Sequence, residues 1–301
     1  MKLVTIDGRE VAGRPGVMLD NGEILDLSSA PSSLTESQWI PHSVVSILAA
    51  GSAGQQSMQR IIDNVNALSD HGRAELRKSN ALRKASDAAL MAPLRRPGLM
   101  VINLAAAGKS PDLDPVYIKS PNTATGSAST VSLPNFAGHR VFVTPLLAVI
   151  LGKSLHEADA REARSAIAAY TMILEFDHQG FELDPAGSAI DWRRFVESKQ
   201  VPGSCPMGPA MITADEIPSV HKLMASVSVN GIATSAAAIL DDQRDVAEVV
   251  AHLSQRYGFS AGDLVAFGSQ FNQTLRSELQ QGDTLEVTLD GLMSLQTTIG
   301  I

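Results

Sequence analysis

An uninterrupted apolar run at residues 146–151, which ends at Gly152, constrains the fold of this chain more than any other feature. A run of this length and composition is typical of a strand that is buried on both faces. Such a strand must lie in a sheet that other layers cover on both sides. The chain has 301 residues, of which 44% are hydrophobic, so it carries enough apolar material to build those layers.

Short apolar runs between turn residues predict strands along most of the chain. Asn21-Gly22 and Asn230-Gly231 are typical of tight turns. The predicted strands are residues 2–6, 16–19, 24–27, 99–104, 116–119, 130–133, 140–143, 146–151, 170–176, 210–213, 223–229, 264–267 and 285–289. Helical spacing predicts two or three helices between residues 43 and 91, and one helix each at 156–169 and 245–255.

Many short strands and few helices predict an α+β fold built around curved sheets. Residues 92–98 are rich in proline, arginine and glycine and have no periodicity, so we interpret them as a linker. This divides the chain into a small N-terminal module at residues 1–98, with a β hairpin and helices, and a main domain at residues 99–301.

Charge and composition exclude several classes of protein. The net charge is −8, and the basic residues form no cluster beyond Arg95-Arg96 and Arg193-Arg194, which argues against a nucleic-acid partner. No apolar run approaches the roughly 18 residues that a membrane span needs. The N-terminus lacks the apolar segment of a signal peptide, and the single cysteine, Cys205, cannot form an internal disulfide. We therefore expect a cytoplasmic protein with a small-molecule partner.

Generic nucleotide-binding, serine-hydrolase and zinc-protease motifs are absent from the sequence, and its seven histidines are scattered. A different set of short motifs occurs in one order along the main domain. These motifs are Tyr117-Ile118-Lys119-Ser120-Pro121, Thr125-Gly126, Leu133-Pro134, the stretch at 147–153, Ala169-Tyr170-Thr171, Lys199, Cys205-Pro206-Met207-Gly208-Pro209, Val229-Asn230-Gly231, Ala261-Gly262-Asp263 and Gly282-Asp283. Together they resemble the fumarylacetoacetate hydrolase family from about residue 99 to 301, and residues 1–98 look like the leader module of its shorter bacterial members.

The resemblance implies a mixed β-roll, a homodimer formed through that roll, and a divalent metal held by three carboxylates. It also implies substrates that are 2-oxo or 2,4-dioxo acids, which are hydrolysed at a C–C bond, decarboxylated or tautomerised through an enolate. A metal bound to adjacent substrate oxygens would stabilise the negative charge that develops on them.

The family's functional positions fall on residues of this chain that only partly match. The two lysines fall on Lys199 and Lys119, and the Thr-Gly-Thr-Pro loop becomes a stretch that ends in Ser269 and Gln270. We predict Lys199, Glu175 and His178 as catalytic residues and Lys119, Ser269 and Gln270 as substrate-binding residues. The metal-binding aspartate falls on Glu175, which keeps a carboxylate.

Two departures bear on the chemistry. The family's Glu-x-Glu pair falls on Thr144 and Leu146, so Glu175 is the one family ligand position that keeps a carboxylate. The family's His-x-x-Glu lid segment corresponds to residues 103–112, which contain neither histidine nor glutamate. We therefore predict no resident metal cofactor, and leave open a weakly held Mg²⁺ or Mn²⁺ on Glu175.

Alternatives stay open at several positions. Glu175 lies in an otherwise apolar strand, so it either serves a site or forms a salt bridge with Lys199. His178 is a candidate replacement acid or base, or a partly exposed loop histidine. Cys205 is a small structural residue rather than a nucleophile. The chain is accordingly either a divergent enzyme acting on an oxo acid without the usual metal, or a non-catalytic relative that binds a ligand or assembles subunits.

Overall fold

An eleven-stranded sheet and a five-stranded sheet enclose the largest apolar core in the computed structural model. The structure describes residues 1–8, 10, 12–35, 41–104, 115–133, 141–178, 192–240, 245–268 and 275–300. Within these ranges no helix is both long and apolar enough to cross a bilayer. The mixed sheets and the few helices confirm the predicted α+β fold.

The strands are short apart from two long central ones. They are β1 (Lys2–Ile6), β2 (Arg14–Met18), β3 (Glu23–Asp26), β4 (Leu82–Lys84), β5 (Met100–Leu104), β6 (Val116–Lys119), β7 (Ala124–Thr125), β8 (Ser129–Val131), β9 (Val141–Leu151), β10 (Ile167–His178), β11 (Cys205–Pro206), β12 (Met211–Thr213), β13 (Met224–Val229), β14 (Ile232–Ala238), β15 (Leu264–Gly268), β16 (Ser277–Leu279), β17 (Thr284–Leu289) and β18 (Met293–Ile299). The helices are α1 (Ser32–Thr35), α2 (Val44–Ala49), α3 (Gly51–Asn66), α4 (Asp70–Lys78), α5 (Ala160–Ala166), α6 (Trp192–Ser198) and α7 (Val246–Ser254).

The large sheet is mixed. Its order is β4-β3-β2-β1-β12-β10-β9-β15-β5-β6, and β16 also pairs with β9. The β15–β5 pair is parallel, and the other pairs of this sheet are antiparallel. The five-stranded sheet has the order β14-β13-β17-β18-β8, and β7 and β11 form a separate parallel pair. Side chains alternate across each strand, so β9 and β10 contribute one face to the core between the two sheets and the other face to a second core.

The N-terminal strands continue the large sheet. β1 pairs with β12, with Leu3 opposite Met211. The segment interpreted as a linker is packed rather than loose, since Leu94 is buried and the Thr5 hydroxyl donates a hydrogen bond to the Pro93 carbonyl at 2.7 Å. The division into residues 1–98 and 99–301 stays a prediction about folding units.

Three details of the predicted elements are wrong. The helical pattern does not continue past α4, because Asn80 has a φ of 60° and residues 82–84 then pair with β3. The helix predicted at 156–169 is shorter and consists of α5 alone. The Asp159 side chain caps its N-terminus, and the long strand β10 begins directly after it. The strands predicted at 140–143 and 146–151 are one strand, β9. Pro145 fits within it because β16 pairs with residues 141–143 and β15 with residues 147–150, which leaves a gap beside the proline.

Candidate active site

Four charged side chains are buried together beneath the large sheet. Lys119 and Lys199 are each 1% exposed, Glu175 is 0% exposed and Asp177 is 2% exposed. Charged residues are seldom this deeply buried unless they are paired, because removing a charge from water costs several kcal/mol. We call these four residues the lysine–carboxylate cluster.

Strand alternation places the two carboxylates. On β10, Met172, Leu174 and Phe176 point into the core between the sheets. Glu175 and Asp177 therefore share the opposite face with Ile173, which belongs to the second core. The two lysines come from separate elements, since Lys119 ends β6 and Lys199 follows α6.

The cluster is held by short contacts between all four residues. Lys119 Nζ donates to Glu175 Oε1 at 3.1 Å and to the Lys199 carbonyl at 2.7 Å, and it lies 3.0 Å from Glu175 Oε2. Lys199 Nζ donates to the Phe176 carbonyl at 2.7 Å, lies 3.6 Å from Glu175 Oε1 and forms an ion pair with Asp177 Oδ1. Glu175 thus joins the two ammonium groups.

Aromatic side chains form the wall of the cluster. The Tyr117 hydroxyl donates to Glu175 Oε1 at 2.8 Å. Lys199 Nζ lies 4.7 Å from the centroid of the Phe195 ring, within the range of a cation–π contact. Trp192 stacks on Phe195 with centroids 5.2 Å apart. These rings keep water away and so strengthen the electrostatic interactions inside.

Burial changes the acidity of three groups here. It lowers the pKa of Lys199 to about 7; the Glu175 carboxylate opposes this change and the Lys119 ammonium adds to it. Burial, together with the charge of Glu175, raises the pKa of Tyr117 well above its ordinary value. Burial also raises the pKa of the Cys205 thiol to about 12, which makes it a poor nucleophile near neutral pH. Lys199 is therefore the group of these three that can exchange a proton near neutrality.

The described residues around Glu175 do not fit a divalent metal. Thr144 lies directly opposite Glu175 in the β9–β10 pair, and its buried hydroxyl oxygen has no hydrogen-bond partner. Leu146 packs on the backbone of Gly268, where an added Cβ would lie 2.3 Å from Leu146 Cδ2. The two nearby carboxylates are each paired with a lysine, and the described residues include no group of three or more His, Cys, Asp or Glu side chains placed to hold a metal ion.

The structure brings together three of the residues predicted for the site: Lys119, Glu175 and Lys199. His178 is the last residue of β10, opposite Val141, and its side chain lies outside the described part of the chain. Ser269 and Gln270 also lie outside the described residues. The roles of His178, Ser269 and Gln270 stay predictions.

Asp177 and Tyr117 also belong to the site, although the sequence motifs did not predict them. Both carried a signal, because each lies two residues from a predicted site residue on the same strand. Side chains two apart on a strand share a face, so Asp177 accompanies Glu175 and Tyr117 accompanies Lys119.

Residues 93–300 match the sequence model of the fumarylacetoacetate hydrolase C-terminal domain. The chain is 23% identical to oxaloacetate tautomerase YisK of Bacillus subtilis (strain 168) over 300 residues, which cover 95% of each protein. It is 30% identical to oxaloacetate tautomerase YcgM of Escherichia coli (strain K12) over 148 residues, which cover 48% of this chain and 64% of that protein.

Solved structures show the same fold. Maleylpyruvate hydrolase from Sphingobium sp. SYK-6 superposes with a TM-score of 0.74 at 19% identity, over 100% of this chain and 99% of that chain. A second structure of that hydrolase, in complex with manganese(II) ion and pyruvate, has a TM-score of 0.67 at 21% identity and covers 100% of both chains.

Proposed function

The chain belongs to the fumarylacetoacetate hydrolase family, and from this premise we propose that it is a tautomerase of 2-oxo acids that works through two buried lysines instead of a carboxylate-bound metal. The substrate is a small carboxylate such as oxaloacetate, the compound named for two of its relatives. The observation that supports this proposal is the lysine–carboxylate cluster, which contains the three residues, Lys119, Glu175 and Lys199, that the sequence resemblance aligns with the family's lysines and metal ligand.

Two ammonium groups can take over the electrostatic task of a metal. Enolisation of a 2-oxo acid places negative charge on the C2 oxygen, and positive groups fixed in a site with little water stabilise that charge strongly. Lys119 and Lys199 are held in place by Glu175, Asp177 and two backbone carbonyls. The two lysines therefore need little rearrangement when an anionic substrate takes the place of one of these carboxylates.

The reaction itself moves one proton. In going from enol to keto form, the O–H bond at C2 breaks, the electron pair of the carbon–carbon double bond forms a new C–H bond at C3, and no oxidant or leaving group is needed. Lys199 is suited to this transfer, because burial brings its pKa to about 7 and so populates both the ammonium and the amine at neutral pH.

Tautomerisation fits the residues better than C–C hydrolysis does. Hydrolysis needs a base that activates water, and residues 103–112, which correspond to the family's His-x-x-Glu lid, contain neither histidine nor glutamate. Tautomerisation needs no attacking water. We therefore place this chain with the tautomerases of the family rather than with its hydrolases.

The test follows the decay of the enol form of oxaloacetate by its ultraviolet absorbance, with EDTA present throughout. The intact protein should accelerate the decay. Lys199→Met should reduce kcat/KM by about a hundredfold or more, because general acid–base catalysis by one side chain usually contributes at least that much to the rate. Lys153→Met, which removes an exposed lysine, should have no effect. A rate equal to the buffer rate for the intact protein would refute the proposal.

One observation favours a second candidate, a non-catalytic relative that binds a ligand or assembles subunits. Each carboxylate of the cluster is already paired with a lysine when no substrate is bound. Absence of turnover toward oxaloacetate, acylpyruvates and unsaturated oxo acids, with or without Mn²⁺, would support this candidate. Under either proposal we expect the homodimer, which light scattering after size exclusion would report as about twice the chain mass of 31.8 kDa.

A further inference from the structure

A cleft of about 430 Å³ lies where residues 89–96 meet the segment at residues 121–129, which includes β7 and the turn between β7 and β8. Its volume is within the range of pockets that hold small molecules, roughly 300–1,000 Å³. None of the four residues of the lysine–carboxylate cluster lines it. It is therefore a separate concave site with chemistry of its own.

Two neighbouring arginines line one side of this cleft. Arg95 Nη1 donates to the Glu10 carbonyl at 2.9 Å, which fixes the guanidinium and leaves other N–H groups available. Arg96 is exposed and makes no hydrogen bond or ion pair within the part of the chain that the structure describes. Asp7 is the one carboxylate among the lining residues, so the cleft keeps a net positive charge in a chain whose net charge is −8.

The opposite side offers hydroxyl groups on and beside the loop at residues 126–128, between β7 and β8, which is held in place. Ser127 Oγ accepts from the Gln296 amide at 3.1 Å, so its own hydroxyl proton can be donated to a ligand. The Ala128 amide donates to the Gln296 carbonyl at 2.7 Å. The loop also packs closely on the arginine side, since a Cβ on Gly126 would lie 2.8 Å from the carbonyl carbon of Met91. The two sides are thus fixed relative to each other before any ligand binds.

We propose that this cleft binds a small anion with carboxylate or phosphate oxygens, through Arg95, Arg96 and Ser127. The planar fork of a guanidinium matches two oxygens of either group, and charge-assisted hydrogen bonds of this kind are about twice as strong as neutral ones. Because the two sides of the cleft are already positioned, binding a ligand costs little conformational entropy.

Isothermal titration calorimetry of the full chain tests the proposal with sodium succinate and sodium phosphate as separate probes, at constant ionic strength. The intact protein should bind at least one of them saturably, with one site per chain. Arg96→Gln should weaken binding about tenfold or more, as loss of a hydrogen bond to a charged group does. The matched control is Arg161→Gln, which removes an exposed arginine of α5 and should change nothing.

The outcomes separate the two ligand sources and the two sites. Binding of succinate alone identifies a carboxylate ligand, binding of phosphate alone identifies a phosphate ligand, and binding of both supports the shared anion chemistry. Lys199→Met should leave the binding intact, whatever it does to oxaloacetate turnover. The proposal is overturned if neither probe binds saturably, if Arg96→Gln binds as well as the intact protein, or if Lys199→Met abolishes binding.

Discussion

The two faces of β10 come from alternate residues of one strand, yet they are stabilised in different ways. Met172, Leu174 and Phe176 lie on one face, fully or almost fully buried among the apolar side chains between the two sheets. Glu175 and Asp177 lie on the other face, equally buried but contacting two lysines. Burial is therefore the same on both faces, and the chemistry differs.

The two faces differ in how much they contribute to the stability of the fold. Burying a large aliphatic or aromatic side chain contributes roughly 1.5–3 kcal/mol. A buried ion pair often contributes little or is unfavourable against an apolar replacement, because both charges lose their water. A cluster of four such charges is therefore not explained by a gain in stability. We interpret it as a site because Lys119, Glu175 and Lys199 are the residues that the sequence resemblance aligns with the family's functional positions.

The largest predicted effect tests the charged face. Glu175→Gln removes the carboxylate that joins the two ammonium groups and leaves Lys119 buried without its ion pair. We expect the free energy of unfolding to fall by about 3–5 kcal/mol, as for other broken buried pairs. Adding Lys119→Met should recover part of the loss, because it removes the uncompensated charge. Denaturant unfolding of the single and double variants measures both quantities.

The apolar face supplies the control. Leu174→Ala, one residue before Glu175, should cost about 2–5 kcal/mol through lost burial and a cavity. Combined with Lys119→Met, its cost should simply add, since Leu174 points away from the lysine. If the Glu175 and Lys119 substitutions also prove additive, the two faces do not differ as described here.

The second prediction concerns pH and is smaller. The Lys199 pKa is about 7 in the folded chain, whereas an unfolded lysine titrates near a pKa of ~10.4. Between these values the unfolded state binds a proton that the folded state does not, so this group makes stability rise with pH. Below about pH 7 both states are protonated and its contribution is constant. The slope cannot exceed ~1.4 kcal/mol per pH unit for one proton.

Urea unfolding between pH 6 and 9 measures this slope in matched variants. Lys199→Met should remove the rise above pH 7, while Lys153→Met, an exposed lysine, should retain it. An identical pH dependence in the intact protein and in Lys199→Met would show that Lys199 does not titrate in this range.

The sequence predicted the central parts of β9 and β10, because apolar periodicity is a local signal, but it did not predict their full lengths. It also predicted that Glu175 needs a partner, since an isolated buried charge is too costly. It offered Lys199 as that partner, and Lys199 Nζ does lie 3.6 Å from Glu175 Oε1. It did not predict the closer contact with Lys119, because β6 lies four strands away from β10 in the order of the large sheet. Such contacts depend on long-range topology, which short sequence motifs do not encode.

The merging of two predicted strands into β9 has a similar explanation. Proline disfavours the interior of a strand because it lacks an N–H. Pro145 is accommodated by the spacing between two partner strands, β15 and β16, that are distant in sequence. The same position separates Thr144 from Leu146, the residues that the sequence resemblance aligns with the family's paired carboxylates.

The smallest predicted effect concerns metal, and it sharpens the comparison at the point where β9 meets the charged face of β10. Thr144 offers one neutral oxygen opposite Glu175, and Leu146 is packed on Gly268. A divalent ion at Glu175 would have to displace Lys119 and would keep most of its waters, so its dissociation constant should exceed the millimolar range. Because ligand stabilisation follows the ratio of ligand concentration to dissociation constant, we expect no rise in Tm with millimolar Mg²⁺ or Mn²⁺.

Thr144→Glu combined with Leu146→Glu should create a rise that the neutral pair Thr144→Gln and Leu146→Gln does not. A rise in the intact protein that Glu175→Gln abolishes would instead mean that Lys119 yields its carboxylate to a metal, and that the charged face of β10 is a metal site after all.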